Sequence, residues 1–260
     1  MSALRGAVLV TGGGAGIGRA SVLACARLGA KVAVLDLDVE AADKVAAEAL
    51  EAGAPAAIGQ RCDVRDEASI SSAVSASRGA LGSLWGAVTS AGIDRGGLAH
   101  EMALEKWQDV ISTNLTGTFL TCKHALAAML AQGSGGSVVC VSSPWAQLSA
   151  PGGASAYCAA KGGVSALVRS LALDYASHDI RVNAIVPGAT ETALMWANVP
   201  EAELPAMRAR VASQLAMGRL AAPAEIAEGI VWLLGDASSY VTGSHLVVDG
   251  GLMARGSIDA

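Results

Sequence analysis

Basic residues are in deficit. The 260 residues hold 18 Lys and Arg against 23 Asp and Glu, a net charge of −5. A nucleic-acid binder usually presents a basic face, so this balance speaks against one. Long apolar runs are also missing: none approaches the ~18 residues that a membrane-spanning helix needs. Near the N-terminus, the apolar stretch Ala7–Val10 is cut short by Thr11 and a run of glycines. That is too little for the apolar region of a secretory signal. The five cysteines, Cys25, Cys62, Cys122, Cys140 and Cys158, form no C-x-x-C pair. An odd set without a pairing pattern points to reduced thiols and a cytoplasmic location. The four histidines show no H-E-x-x-H spacing, which argues against a zinc site.

What is present is apolar and regular. Apolar residues make up 52% and charged residues 16%, the reverse of a disordered composition. The 31 glycines follow no three-residue period, so the chain is not collagen-like. The length suits one α/β domain whose core needs no disulfide or metal staple.

Short β-rich runs alternate with longer Ala-rich ones. Strands are expected at 7–10, 31–36, 56–62, 84–90, 137–142, 180–186 and 245–248. Helices are expected at 16–28, 39–51, 66–79, 104–129 with a break near Asn114–Gly117, 154–177, and from Pro223 to about Gly235. Nearly continuous apolar strands alternating with helices predict a mostly parallel, doubly wound seven-stranded sheet with helices on both faces. No linker or repeat divides the chain. One segment, residues 190–216, is irregular or helical, and its size and place suggest a lid over a site.

The first strand runs into Thr11-Gly-Gly-Gly-Ala-Gly-Ile-Gly18. Glycines at a strand–helix junction let the backbone approach a pyrophosphate, and the helix N-terminus offers free N–H groups. Asp36 ends the second strand, eighteen positions past Gly18. A carboxylate there can accept from both ribose hydroxyls and repels a 2′-phosphate, so NAD is the expected cofactor. This is the signature of a single-domain Rossmann fold. Further on, Tyr157-Cys-Ala-Ala-Lys161 lies on a predicted helix. A spacing of four puts phenol and ammonium on one face. A nearby cation favours phenolate, which makes Tyr157 a candidate general base for an alcohol.

Taken together, these segments resemble the classical short-chain dehydrogenase/reductase family over nearly the full chain. The matching residues are Thr11-Gly-x-x-x-Gly-Ile-Gly18, Asp63-Val64, Ala91-Gly92, Asn114, Ser143, Tyr157-x-x-x-Lys161, Arg181-Val-Asn183, Pro187-Gly188, Thr192 and Asp249-Gly-Gly251. The resemblance implies that Tyr157 exchanges the proton with the substrate oxygen and that Ser143 hydrogen-bonds that oxygen. Lys161 would bind the nicotinamide ribose and depress the tyrosine pKa. Asn114 would break its helix and hold a water linking Lys161 to solvent. For the cofactor it implies Gly12, Gly14, Gly16, Ile17, Gly18 and Asp36, then Asp63 and Val64 flanking the adenine. Ala91, Gly92, Pro187, Gly188 and Thr192 would complete that groove. The substrate pocket would be lined by Ile93, Asp94, Trp145, Gln147, Gly188, Met195 and Trp196. No metal is required. Through the helices at 104–129 and 154–177, which build subunit contacts in that family, the resemblance also implies a homotetramer.

Three features depart from the family pattern. The usual Asn-Asn-Ala-Gly reads Thr89-Ser90-Ala91-Gly92. The Asp usually found before that strand is replaced by Trp85. Ser143 lies fourteen residues before Tyr157, one more than usual, with Pro144 at the standard count. Pro151-Gly152-Gly153 is expected to absorb the extra residue. Ser142, turned to the other side by strand alternation, reads as a core hydroxyl. His100-Glu-Met and Lys123-His-Ala-Leu-x-x-Met-Leu resemble bacterial NAD-dependent dehydrogenases of polyols and cyclic alcohols. The leading expectation is reversible hydride transfer between a secondary alcohol and NAD. The alternatives are a catalytically weak NAD-binding regulator on the same fold, and a 3-oxoacyl-thioester reductase, which Asp36 opposes because those enzymes usually use NADPH.

Overall fold

The computed structural model describes residues 4–149 and 152–254; Pro151, one of the residues expected to absorb the longer loop, lies outside them. Seven parallel strands form one sheet in the order β3-β2-β1-β4-β5-β6-β7. They are β1 (Ala7–Thr11), β2 (Lys31–Asp36), β3 (Ala57–Arg61), β4 (Leu84–Thr89), β5 (Gly136–Val141), β6 (Ile180–Pro187) and β7 (His245–Val248). The order reverses between β1 and β4. In a doubly wound sheet that reversal opens a crevice at the strands' C-terminal ends, where ligands bind.

The strands are buried where the sequence is apolar on both faces. All five residues of β1 and all six of β5 are buried. One apolar core lies under α1 (Gly16–Arg27), α2 (Val39–Glu51) and α9 (Pro223–Leu234). The other lies under α3 (Glu67–Leu81), α5 (Gly117–Gln132) and α6 (Ser155–Tyr175). Side-chain caps start two of these helices: the Asp38 carboxylate accepts from the Glu40 and Ala41 amides, and that of Asp66 from the Ala68 amide. Such caps satisfy N–H groups that the first turn leaves without partners. Gly133, in the left-handed region at φ 66°, closes α5.

The break expected near Asn114 is a π-helical turn, Ser112–Thr116, joining α4 (Leu104–Ile111) to α5. The Ser112 hydroxyl donates back to the carbonyls of Gln108 and Asp109. That of Thr118 donates to the carbonyl of Asn114. Residues 190–216 are neither one helix nor irregular throughout. They form α7 (Ala193–Trp196), a 3-10 turn (Glu201–Glu203) and α8 (Leu204–Ser213). The Arg181-Val-Asn183 motif ties β6 to the approach to β7. The Asn183 side chain donates to the Val241 carbonyl at 2.8 Å and accepts from the Ser244 amide at 3.0 Å. Among the described residues, no helix is long and apolar enough to cross a membrane.

Candidate active site

The glycine loop sits at the sheet's reversal point. Gly12 has φ +65°, and a Cβ there would stand 2.7 Å from the Ala91 backbone. A side chain at Gly18 would run into the Gly12 carbonyl. Only glycine satisfies both positions, so the tight approach of the segment after β4 to the end of β1, and of α1 to the Gly12 carbonyl, is written in these residues. Asp36, at the end of β2, accepts from the Gly14 amide at 2.9 Å through one oxygen and from the Asp38 amide at 3.1 Å through the other. An ionised carboxylate has about four acceptor sites, so both oxygens keep capacity for hydroxyl donors.

Other cofactor candidates border the same crevice. Val64 is buried against Gly117. The Asp63 carboxylate, by contrast, is engaged by the Arg65 guanidinium at 2.9 and 2.7 Å, which holds its pKa below the ordinary range. Pro187 ends β6, and the Gly188 amide donates to Val248 at 2.9 Å. Thr192 caps α7 by accepting from the Met195 amide at 3.3 Å, and its methyl group lies beside Gly16. Ala91, Gly92 and Ile17 complete a groove whose backbone and glycines fit a dinucleotide. Within it, Gly12, Gly14, Gly16, Ile17 and Gly18 would hold the pyrophosphate end, and Pro187, Gly188 and Thr192 the nicotinamide end.

Across the crevice, α6 presents Tyr157 and Lys161 on one face, as their spacing predicts. Lys161 is buried; its Nζ donates to the Val141 carbonyl at 2.7 Å and lies 5.6 Å from the centre of the Tyr157 ring. Burial pulls the lysine pKa down to about 8. Burial likewise pushes the Tyr157 phenol up to about 12. The Ser143 hydroxyl works against that rise, while the charges at Asp94 and Cys158 add to it. Burial is the largest of these influences on the phenol. The ammonium lies over the ring face, is bound to a backbone carbonyl, and is itself desolvated.

Asn114 is fully buried. Its carbonyl oxygen accepts from the Ile93 amide and its NH₂ donates to the Ile93 carbonyl, both at 2.8 Å. The π turn and the loop after β4 are thereby locked together. Ser143 lies at the end of β5 and accepts from the Trp145 amide at 3.2 Å. The one-residue surplus before Tyr157 is accommodated by a 3-10 turn, Pro144–Ala146, and by Gly152 and Gly153, both at positive φ. Ser142 is buried, its hydroxyl 2.8 Å from that of Ser165. That contact places it in the core rather than the cleft.

Trp196, expected to line the substrate pocket, is buried, donates from Nε1 to Glu191 at 2.7 Å, and carries the Arg208 guanidinium 5.3 Å from its ring centre. Arg208 also grips Glu191 at 2.6 and 3.1 Å. The tryptophan knits its own segment together. Trp145 is half-buried and Gln147 exposed. Trp85, in place of the family's Asp, donates to the Leu234 carbonyl at 3.0 Å and stacks under Arg5, a structural anchor. Thr89, in place of the first Asn, is buried with no hydrogen-bond partner for its hydroxyl beyond the influence of the neighbouring Cys140 thiol. The Val141 carbonyl that holds Lys161 was not foreseeable from the residues, because a backbone acceptor leaves no residue signature.

The comparisons fit this geometry. The family model described as enoyl-(acyl carrier protein) reductase matches residues 12–253. A 2,5-dichloro-2,5-cyclohexadiene-1,4-diol dehydrogenase of Sphingobium indicum is 40% identical over 98% of this chain and 100% of its own. A cis-4-hydroxycyclohexanecarboxylate dehydrogenase of Sinomonas cyclohexanicum is 44% identical over 95% of this chain and 96% of its own. A solved short-chain dehydrogenase/reductase from Mycobacterium marinum superposes with a TM-score of 0.91 at 34% identity, covering 98% of both chains. The chain belongs to the short-chain dehydrogenase/reductase family. It is accordingly an oxidoreductase of the dehydrogenase type that uses a nicotinamide nucleotide.

Proposed function

We propose that the protein is an NAD-dependent dehydrogenase of secondary alcohols of the cyclic alcohol, diol or polyol type, running as a ketone reductase in reverse. The observation that carries the choice of NAD is Asp36. Its carboxylate is fixed by the Gly14 amide at the end of β2, where a 2′-phosphate would meet a negative charge. Bound NAD would supply the hydride acceptor for the carbinol carbon.

The chain's own residues handle the proton. Tyr157 takes it from the substrate hydroxyl through its phenolic oxygen, and Ser143 donates a hydrogen bond to that same substrate oxygen. Lys161, locked on the Val141 carbonyl, holds a positive charge over the Tyr157 ring and would bind the ribose of NAD. Asn114 acts through the backbone it fixes at Ile93. Trp145 and Gln147 border the substrate, and residues 190–216 close over it as a lid within a single catalytic domain. The protein works in the cytoplasm as a homotetramer, a dimer of dimers.

The test is NADH formation from NAD over a panel of cyclic alcohols, diols, polyols and hydroxy acids, with Tyr157→Phe beside the wild type. The expected loss in the variant is at least about a hundredfold, the scale of general acid–base catalysis, with NADH affinity nearly unchanged. A variant turning over at close to the wild-type rate sinks the mechanism.

A further inference from the structure

The loop that follows β4 runs past the mouth of the site and is held at both ends. At Ile93 it is clamped by the Asn114 side chain, and the Ile93 side chain packs against the cluster containing Ala156 and Ala160 of α6. At Gly97 its amide donates to the Gly153 carbonyl at 3.0 Å, just ahead of α6. Gly96 backs onto Asn198 of the 190–216 segment. Asp94 stands between these fixed points, half-buried. A side chain carried on so short and doubly anchored a span has little freedom to swing into solvent.

We propose that Asp94 selects the substrate by charge: the site takes a neutral alcohol bearing a second hydroxyl, which donates to the Asp94 carboxylate, and discriminates against an alcohol bearing a carboxylate. This rests on the dehydrogenase reading above. A carboxylate only accepts hydrogen bonds, so the complementary group is a hydroxyl donor. A substrate carboxylate would set two negative charges together in a partly desolvated groove, which costs affinity. Asp94 already acts on the reacting centre, since its charge raises the Tyr157 phenol. The other groups bearing on that phenol are Cys158 and Lys161 from α6 itself and the Ser143 hydroxyl from the end of β5. Burial raises the Asp94 pKa, while Arg95 beside it lowers that pKa through its amide, which donates to the carboxylate, and through its charge; the Arg95 side chain is exposed. The Glu191 and Arg208 charges of the 190–216 segment are paired with each other.

The experiment compares kcat/KM for cyclohexanol, a cyclohexanediol and 4-hydroxycyclohexanecarboxylate in the wild type and in Asp94→Asn. The wild type is expected to favour the diol over the hydroxycarboxylate by about tenfold or more, the scale of one close like-charge contact in a partly screened site. Asp94→Asn should erase most of that ratio. It should also move the pH midpoint for alcohol oxidation downward, because losing the negative charge favours phenolate. A merely structural role for Asp94 would lower all three rates together and leave the midpoint in place. A wild type that prefers the hydroxycarboxylate, or a ratio unchanged in the variant, overturns the proposal while leaving cyclohexanol turnover, and hence the dehydrogenase reading, intact. No turnover on any of the three sinks both. If Asp94→Asn fails to fold, the wild-type ratio alone decides.

Discussion

The two sides of the crevice solve the same problem with different materials. On the β1–β2 side, recognition is done by backbone. Glycines permit a close approach, amides face the groove, and one carboxylate, Asp36, is pinned by an amide. On the β4–β6 side, recognition is done by buried polar side chains, Asn114, Lys161 and the half-buried Tyr157 and Asp94, each held by a backbone partner or a neighbouring charge. A backbone cradle costs little to keep in water. Buried side chains store a desolvation penalty that the fold must carry. The cofactor side is therefore expected to be insensitive to pH and the catalytic side responsive to it.

Lys161 gives the sharpest way to break that contrast. Its folded pKa, about 8, lies below its ordinary value of 10.5. Between these values the unfolded chain binds the proton that the folded chain has released, so stability rises with pH across the window. The full rise is about 3 kcal/mol, taking 1.36 kcal/mol per pKa unit. Tyr157 opposes it higher up, because a folded pKa near 12 against 10 makes stability fall from about pH 10 upward. Urea unfolding of wild type and Lys161→Met from pH 7 to 10 should show the rise only in the wild type. Parallel curves would mean that Lys161 is not a stored penalty, and the contrast between the two sides would fail.

Asp36 sharpens the comparison from the other side. Asp36→Ala should narrow the NADH-over-NADPH affinity ratio by about tenfold, or 1.4 kcal/mol, with no change in the pH profile of turnover. An unchanged ratio, read by fluorescence titration of both nucleotides, would take Asp36 out of cofactor selection.

What could be read from the chain follows the same division. The glycine loop, Asp36 and the Tyr157–Lys161 face were legible, because they depend on local geometry: a strand–helix junction, a strand end, and helical spacing. The break at Asn114 was legible as a place but not as a π turn, whose form depends on the distant Ile93 backbone. The burial that raises the Tyr157 pKa was not legible, since sequence spacing shows a nearby cation and hides burial. The packing of Trp196 was hidden for a related reason. Its partners, Glu191 and Arg208, are separated along the chain by the turn between α7 and α8, and only the folded segment brings them together.

That packing carries the smallest predicted effect. Trp196→Phe keeps a large ring under Arg208 and removes the Nε1 donor, leaving Glu191 to Arg208 alone. The loss should be about 1 kcal/mol of stability, the net value of one such hydrogen bond. The relative kcat/KM values for cyclohexanol and a cyclohexanediol should not move, because the ring faces its own segment. A tryptophan that touched substrate would do the opposite and shift that ranking with little change in the denaturation midpoint. Measuring both on one variant therefore separates a residue that shapes the lid from one that reads the substrate. It also tests whether selectivity on the catalytic side is concentrated in the loop after β4, where Asp94 stands.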